Sequence, residues 1–230
     1  MDEREKKFVA EIDDIRRRID ARYGNERFRM LFYDLGDNIP ADMLDTEREV
    51  PEELQDEDDG EWKFWKPVPS TISGEAINAL EARLRAAFPP GFRALLQAYH
   101  LVSWTSAGMS DGRGGYVGGC MSFTLPALDT QTALAELERN AADDWGPLIA
   151  AGYLPFAIGE DGQGPICFDL KQKGEDGDCP VIWILHDDLF NLGEDGVSMR
   201  ENVKPHVRQI ADSFEDMKAI LLGGEEVPVV

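Results

Sequence analysis

Basic residues are the scarce class in this chain: 23 Lys and Arg stand against 45 Asp and Glu, for a formal net charge of −22 at pH 7. A field of that sign repels phosphate backbones and anionic lipid, so it argues against direct nucleic-acid or membrane-surface binding and in favour of a basic protein partner. Cysteine is scarce as well. Cys120, Cys167 and Cys179 are an odd number at wide spacings, with no CxxC and no paired His nearby, so neither a disulfide framework nor a zinc site is indicated. Long apolar runs are lacking: none approaches the roughly 18 residues that a membrane span needs. The opening MDEREKKFVAEIDDIRRRID has no apolar core of a signal peptide, and the expectation is a cytoplasmic protein with reduced thiols.

Histidine is equally sparse, and the three occur at positions 100, 186 and 206. Only His186-Asp187-Asp188 sets an imidazole beside carboxylates, on what reads as the end of a strand, where His186 and Asp188 would share one face. Two such groups do not make a metal site. There is no G-x-S-x-G elbow and no cysteine in a basic, activating context. GRGGYVGG lacks the GK[ST] ending of a P-loop and the strand-then-helix setting of a dinucleotide site, so it reads as a connection between short strands. No catalytic residue, metal site or cofactor is expected.

What is present is a foldable composition of 43% hydrophobic and 9% aromatic residues, including five Trp, in 230 residues. That length holds one large domain, or one domain with an ordered appendage. Phe8, Ile12, Ile15 and Ile19 recur at helical spacing on a charged background, which predicts an N-terminal helix over about residues 4–29. From Asp42 to Glu61 there are eleven acidic residues and a single Arg, read as a linker or exposed arm. EWKFWKPVP then marks the beginning of a packed unit, giving an expected division into residues 1–60, helix and acidic linker, and residues 61–230, the main domain.

Ser73 caps a predicted helix carrying Ile77, Leu80, Leu84 and Phe88, which Pro89-Pro90 stops, and a second helix restarts with Phe92, Leu95, Leu96 and Tyr99 inward. TQTALAELERNAADDWGPLI reads as a further helix. Apolar runs at Leu154–Ile158, Ile166–Leu170 and Val181–Leu185, separated by Gly/Asp loops, predict two successive antiparallel hairpins, with one more short strand from Val197. Ile210, Phe214, Met217, Ile220 and Leu221 form the stripe of a closing helix.

GEDG occurs at Gly159, Gly174 and Gly193, at unequal intervals that do not describe a structural repeat. The first two copies fall between consecutive strands, where Asp-Gly supplies a tight turn, and the residues after them lack the alternating oxygen ligands of a calcium loop.

In order, the segment with paired Trp, the helix AINALEARL, the elbow FPPGFRALL, then YLPFAIGEDGQGPICFDL, VIWILHDD and SFEDMKAIL form a series that resembles the SUKH superfamily, the Smi/Knr-type domain, from about Trp62 to Leu222. The chain departs from that pattern where Tyr99 is followed by His100-Leu101 rather than Asn-Gly. The resemblance implies an α+β fold with a single mixed or mainly antiparallel sheet flanked by helices, here with an N-terminal helical extension. It also implies function by binding: many bacterial members look like immunity proteins that block a polymorphic toxin, often a nuclease, and fungal relatives act as regulatory scaffolds. No cofactor is implied.

Under that reading the acidic turns become an interaction surface. If both hairpin turns emerge on one edge, Glu160, Asp161, Glu175, Asp176, Asp178, Asp187 and Asp188 gather into a negative patch suited to a basic toxin domain. Trp104 and Phe190 are the candidate apolar anchors. The alternative is a regulatory or scaffold module that docks partners through its acidic N-terminal arm.

Overall fold

The computed structural model describes residues 2–25, 32–51, 61–102, 104–105, 123–132, 134–159 and 163–222. Helix α1, Glu3–Tyr23, starts at a reciprocal cap: the Glu5 amide donates to the Asp2 carboxylate at 2.8 Å and the Asp2 amide donates to Glu5 at 2.7 Å. Its apolar stripe turns inward, with Ile15 and Ile19 fully buried and Phe8 and Ile12 partly so.

Ser73 caps α2, Gly74–Leu84, as the sequence predicts, accepting from the Ala76 amide at 3.2 Å. Arg85 closes that helix in the left-handed conformation, φ 53°. The proline pair does not stop α2, as the sequence led one to expect: the helix already ends at Leu84, which leaves Phe88 outside it. Pro89 instead takes the cap position of α3, Pro90–Ala98, and Pro90, whose fixed φ suits a first turn, begins it. Helix α1 lies along α3, where Arg16 Nε donates to the Ala98 carbonyl at 3.1 Å.

Two small antiparallel pairs frame these helices: β1, Tyr33–Leu35, with β2, Trp62–Phe64, and β3, Val68–Pro69, with β4, Tyr99–His100. His100 is fully buried. The Thr71 amide donates to its Nε2 at 3.0 Å, so Nδ1 is the nitrogen that donates to the Leu128 carbonyl at 2.8 Å.

The main sheet is a six-stranded antiparallel meander whose spatial order is its chain order: β5 Trp104–Thr105, β6 Phe123–Leu125, β7 Tyr153–Gly159, β8 Pro165–Asp169, β9 Val181–Ile184 and β10 Val207–Ala211. Side chains on adjacent positions leave opposite faces. Ile166, Phe168, Val181 and Trp183 therefore join one core, and Cys167, Ile182 and Ile184 the other. On the first face Phe156 stacks on Phe168 at 4.1 Å, and Phe92 of α3 and Phe214 of α8, Phe214–Leu222, meet these rings edge-on. On the second face lie α5, Gly146–Ala150, α6, His186–Val197, and α7, Arg200–Val203. Both faces being covered explains why β8 and β9 are buried at every position.

Three expectations need correction. The helix read across residues 130–149 is instead α4, Ala135–Glu138, a π-helical turn, Arg139–Asp144, and then α5. Val197 begins no strand but ends α6, and the last strand starts ten residues later at Val207. Within the acidic stretch read as an exposed arm, Met43 is fully buried, and Asp45 accepts from the Tyr23 hydroxyl and pairs with Arg48 at 3.4 Å. Burial first, then this carboxylate, pushes the Tyr23 hydroxyl up to about 12. GRGGYVGG, Cys120 and residues 52–60 lie outside the described residues.

Candidate functional site

An antiparallel meander sends successive turns to opposite ends of the sheet, and that geometry divides the predicted acidic residues. The β7–β8 connection and the start of α6 share one end: β9 runs directly into α6, and the His186 amide donates to the Gln163 carbonyl at 3.1 Å. The β8–β9 connection, with Glu175, Asp176 and Asp178, is at the other end, about 15 Å away along a five-residue strand. Among the described residues, Asp187 and Asp188 therefore stand at the opposite end of the sheet from Glu175, Asp176 and Asp178. Glu160 and Asp161 lie outside the described residues.

At the α6 end, His186-Asp187-Asp188 is the first turn of a helix rather than the end of a strand. Leu185 at the cap position offers no side-chain acceptor, so the two carboxylates supply the negative charge that a helix N-terminus favours. Asp187 stands next to His186 Nδ1 at 3.4 Å, and Asp188 lies 3.4 Å from His206 Nδ1. Leu189 and Val197 face the sheet. Phe190, next in sequence to Leu189, points away from it and is 82 % exposed. It falls three residues after Asp187, on the same helical face. Sequence reading thus named Asp187, Asp188 and Phe190 separately. The helix puts Asp187 and Phe190 on one face and turns Asp188 toward His206.

At the opposite end, Asp178 is occupied with local structure. Its carboxylate accepts from the Phe214 amide at 3.0 Å, the Glu215 amide at 3.2 Å and the Cys179 amide at 2.7 Å, capping α8 and fixing the turn. Glu175 and Asp176 stay exposed on the tip between Gly174 and Gly177. Trp104 is 1 % exposed: Arg22 stacks over its ring at 5.7 Å, and both residues donate to the Leu221 carbonyl, at 3.2 Å and 2.7 Å. It packs the core of the chain instead of offering a surface to a partner. Burial lowers the Arg22 guanidinium to about 10.

The residues that sequence reasoning missed are Glu194 and Asp195, the third GEDG copy. They are exposed near the C-terminal end of α6, beyond a break at Gly193 with φ 67° and ψ 168°. The signal was the tetrapeptide itself, whose first two copies alone were read as turns of the patch. Beneath α6 and α7 the charged groups are structural. Asp169, 1 % exposed, accepts from Arg200 at 2.7 Å and Gln172 at 2.7 Å, and Arg200 stacks over Tyr153 at 4.5 Å. Burial alone would raise the Asp169 carboxyl, but these hydrogen bonds outweigh it and hold it below the ordinary carboxylate value.

Among the described residues no group of three or more His, Cys, Asp or Glu side chains is placed to hold a metal ion, and no helix is long and apolar enough to cross a membrane. Cys167 and Cys179 are buried free thiols, both pushed upward by burial, Cys179 to about 11. Residues 71–219, more than half the chain, match the SMI1 / KNR4 family (SUKH-1). No curated protein matches the chain.

Proposed function

The chain belongs to the SMI1 / KNR4 family (SUKH-1), and on that premise we propose that it works by binding another polypeptide, as an immunity protein that neutralises a basic toxin domain. The observation that carries this reading is Phe190, 82 % exposed on a helix that Leu189 and Val197 fix to the sheet, with Asp187 one turn before it. Partly buried apolar anchors supply most of the affinity in protein interfaces, and surrounding charge sets the rate of encounter and the choice of partner. A nuclease holds its substrate through cationic side chains. Carboxylates presented on α6 compete for those cations, and the chain's charge of −22 steers the encounter.

The reading is tested by co-expressing the protein with the toxin domain encoded by the neighbouring gene. Protection of the host, with a complex that tightens as salt is lowered, is the expected result. No protection and no complex at low salt overturns it. Binding to several cellular proteins without protection would favour a regulatory scaffold instead.

A further inference from the structure

Resting on that reading, we infer that the whole bent segment from His186 to Met199 is the recognition element, with two apolar anchors, Phe190 and Met199, and that it fits a cationic protein face carrying an apolar slot between Lys or Arg side chains. Among the described residues the large apolar side chains that stand exposed are Val9 at 44 %, Phe190 at 82 % and Met199 at 49 %, so two of the three lie on this one segment. The segment holds Asp187, Asp188, Glu194 and Asp195 and no Lys or Arg.

Loose packing does not account for this exposure. Leu189, Leu192 and Val197 hold the segment to the sheet, and its far end is tied by hydrogen bonds. The Met199 amide donates to Gly196 at 3.2 Å, the Asn202 amide donates to Met199 at 3.1 Å, and Ser198 Oγ donates to the Asp195 carbonyl at 2.7 Å. Gly193 makes the bend, since its φ of 67° with ψ of 168° belongs to a region that only glycine occupies readily. Anchors held in place before binding lose little entropy on association. A second copy of the chain is a poor occupant, because each carries a net charge of −22.

The test uses the full-length protein and a catalytically inactivated form of the toxin domain encoded by the neighbouring gene. Phe190→Ser, Met199→Ser and the double charge reversal Glu194→Lys/Asp195→Lys are compared with Glu175→Lys/Asp176→Lys at the opposite end of the sheet, with melting curves confirming that each variant is folded. Phe190→Ser is expected to weaken binding about 30-fold or more. Met199→Ser and the Glu194/Asp195 reversal should each weaken it about 10-fold, and the Glu175/Asp176 reversal less than about 3-fold. Unchanged binding by the three segment variants, or a larger loss from the Glu175/Asp176 reversal, overturns the inference while leaving the proposed function standing. Failure of the wild-type protein to bind overturns both.

Discussion

The ammonium of Lys218 in α8 meets the carboxylate of Glu11 in α1, joining the last described helix to the first. Lys218 is 2 % exposed and also reaches Glu215 at 2.7 Å. Burial alone would lower its pKa, but the two carboxylates outweigh burial and raise it. The stabilisation from this raised value is fully present below the ordinary lysine pKa and is lost only as pH climbs through the higher folded value.

Glu11→Gln should destabilise the fold by about 1–2 kcal/mol, less than the full cost of orphaning a buried charge because Glu215 remains. Lys218→Met, which removes the charge and keeps the stem, should be close to neutral. Urea midpoints of the two variants check this, and a larger loss for Lys218→Met than for Glu11→Gln would contradict it.

Removal of residues 1–60 should abolish cooperative unfolding rather than trim an appendage. Ile15, Ile19 and Met43 share one core with α3 and α8, and their loss would expose that face. The expected readout is aggregation or a broad, shallow melting transition. A truncated chain with a sharp, wild-type transition would refute this.

Asp178→Ala should cost about 1–2 kcal/mol, the usual value of a helix cap, because three backbone amides lose their acceptor. Affinity for a partner should be unchanged, since the carboxylate is used within the fold. Denaturant titration and a binding curve on the same sample separate the two effects.

Glycine substitutions at the two ends of the α6 junction should differ. Gly193→Ala meets no atom within 4 Å, so only backbone strain of about 1–3 kcal/mol applies. Gly164→Ala combines φ of 119° with a Cβ 2.1 Å from the Ile184 carbonyl oxygen and 2.8 Å from the His186 amide. It should be the more damaging of the two by melting temperature, and should disturb the start of α6.

Asp169→Asn should lower stability by about 2–3 kcal/mol at neutral pH by weakening the partner of the half-buried Arg200. The carboxyl is depressed in the folded state, so its contribution is present above the unfolded value of about 3.9 and is lost as pH falls through the lower folded value. The stability gap between wild type and variant should therefore close below about pH 3.9, which denaturant midpoints at pH 7, 4 and 3 will show.

Much of the fold was legible in the residues because local rules act there. The period of Phe8, Ile12, Ile15 and Ile19, the cap at Ser73 and the β-rich runs around Ile166 and Val181 each bias the backbone within a few residues, and the elements appear there, while the proline pair at 89–90 starts α3 but does not stop α2, which Arg85 closes earlier. His186 misled because a polar run after a buried strand is equally compatible with a fraying strand or a helix start. The decision went to Leu189 and Val197, whose burial against Ile182 and Ile184 requires a helix on that face.

By itself, then, the sequence determined the α+β class, the meandering hairpins, the family and the strong acidity, all properties of composition or short-range periodicity. Which carboxylates stand together was decided only in three dimensions. Strands that alternate in direction carry consecutive connections to opposite ends, so Glu175 and Asp176 end up far from Asp187 and Asp188. Trp104 and Phe190, both aromatic and both plausible anchors in one dimension, are separated by burial: one lies beneath Arg22 and the other stands in solvent beside Asp187.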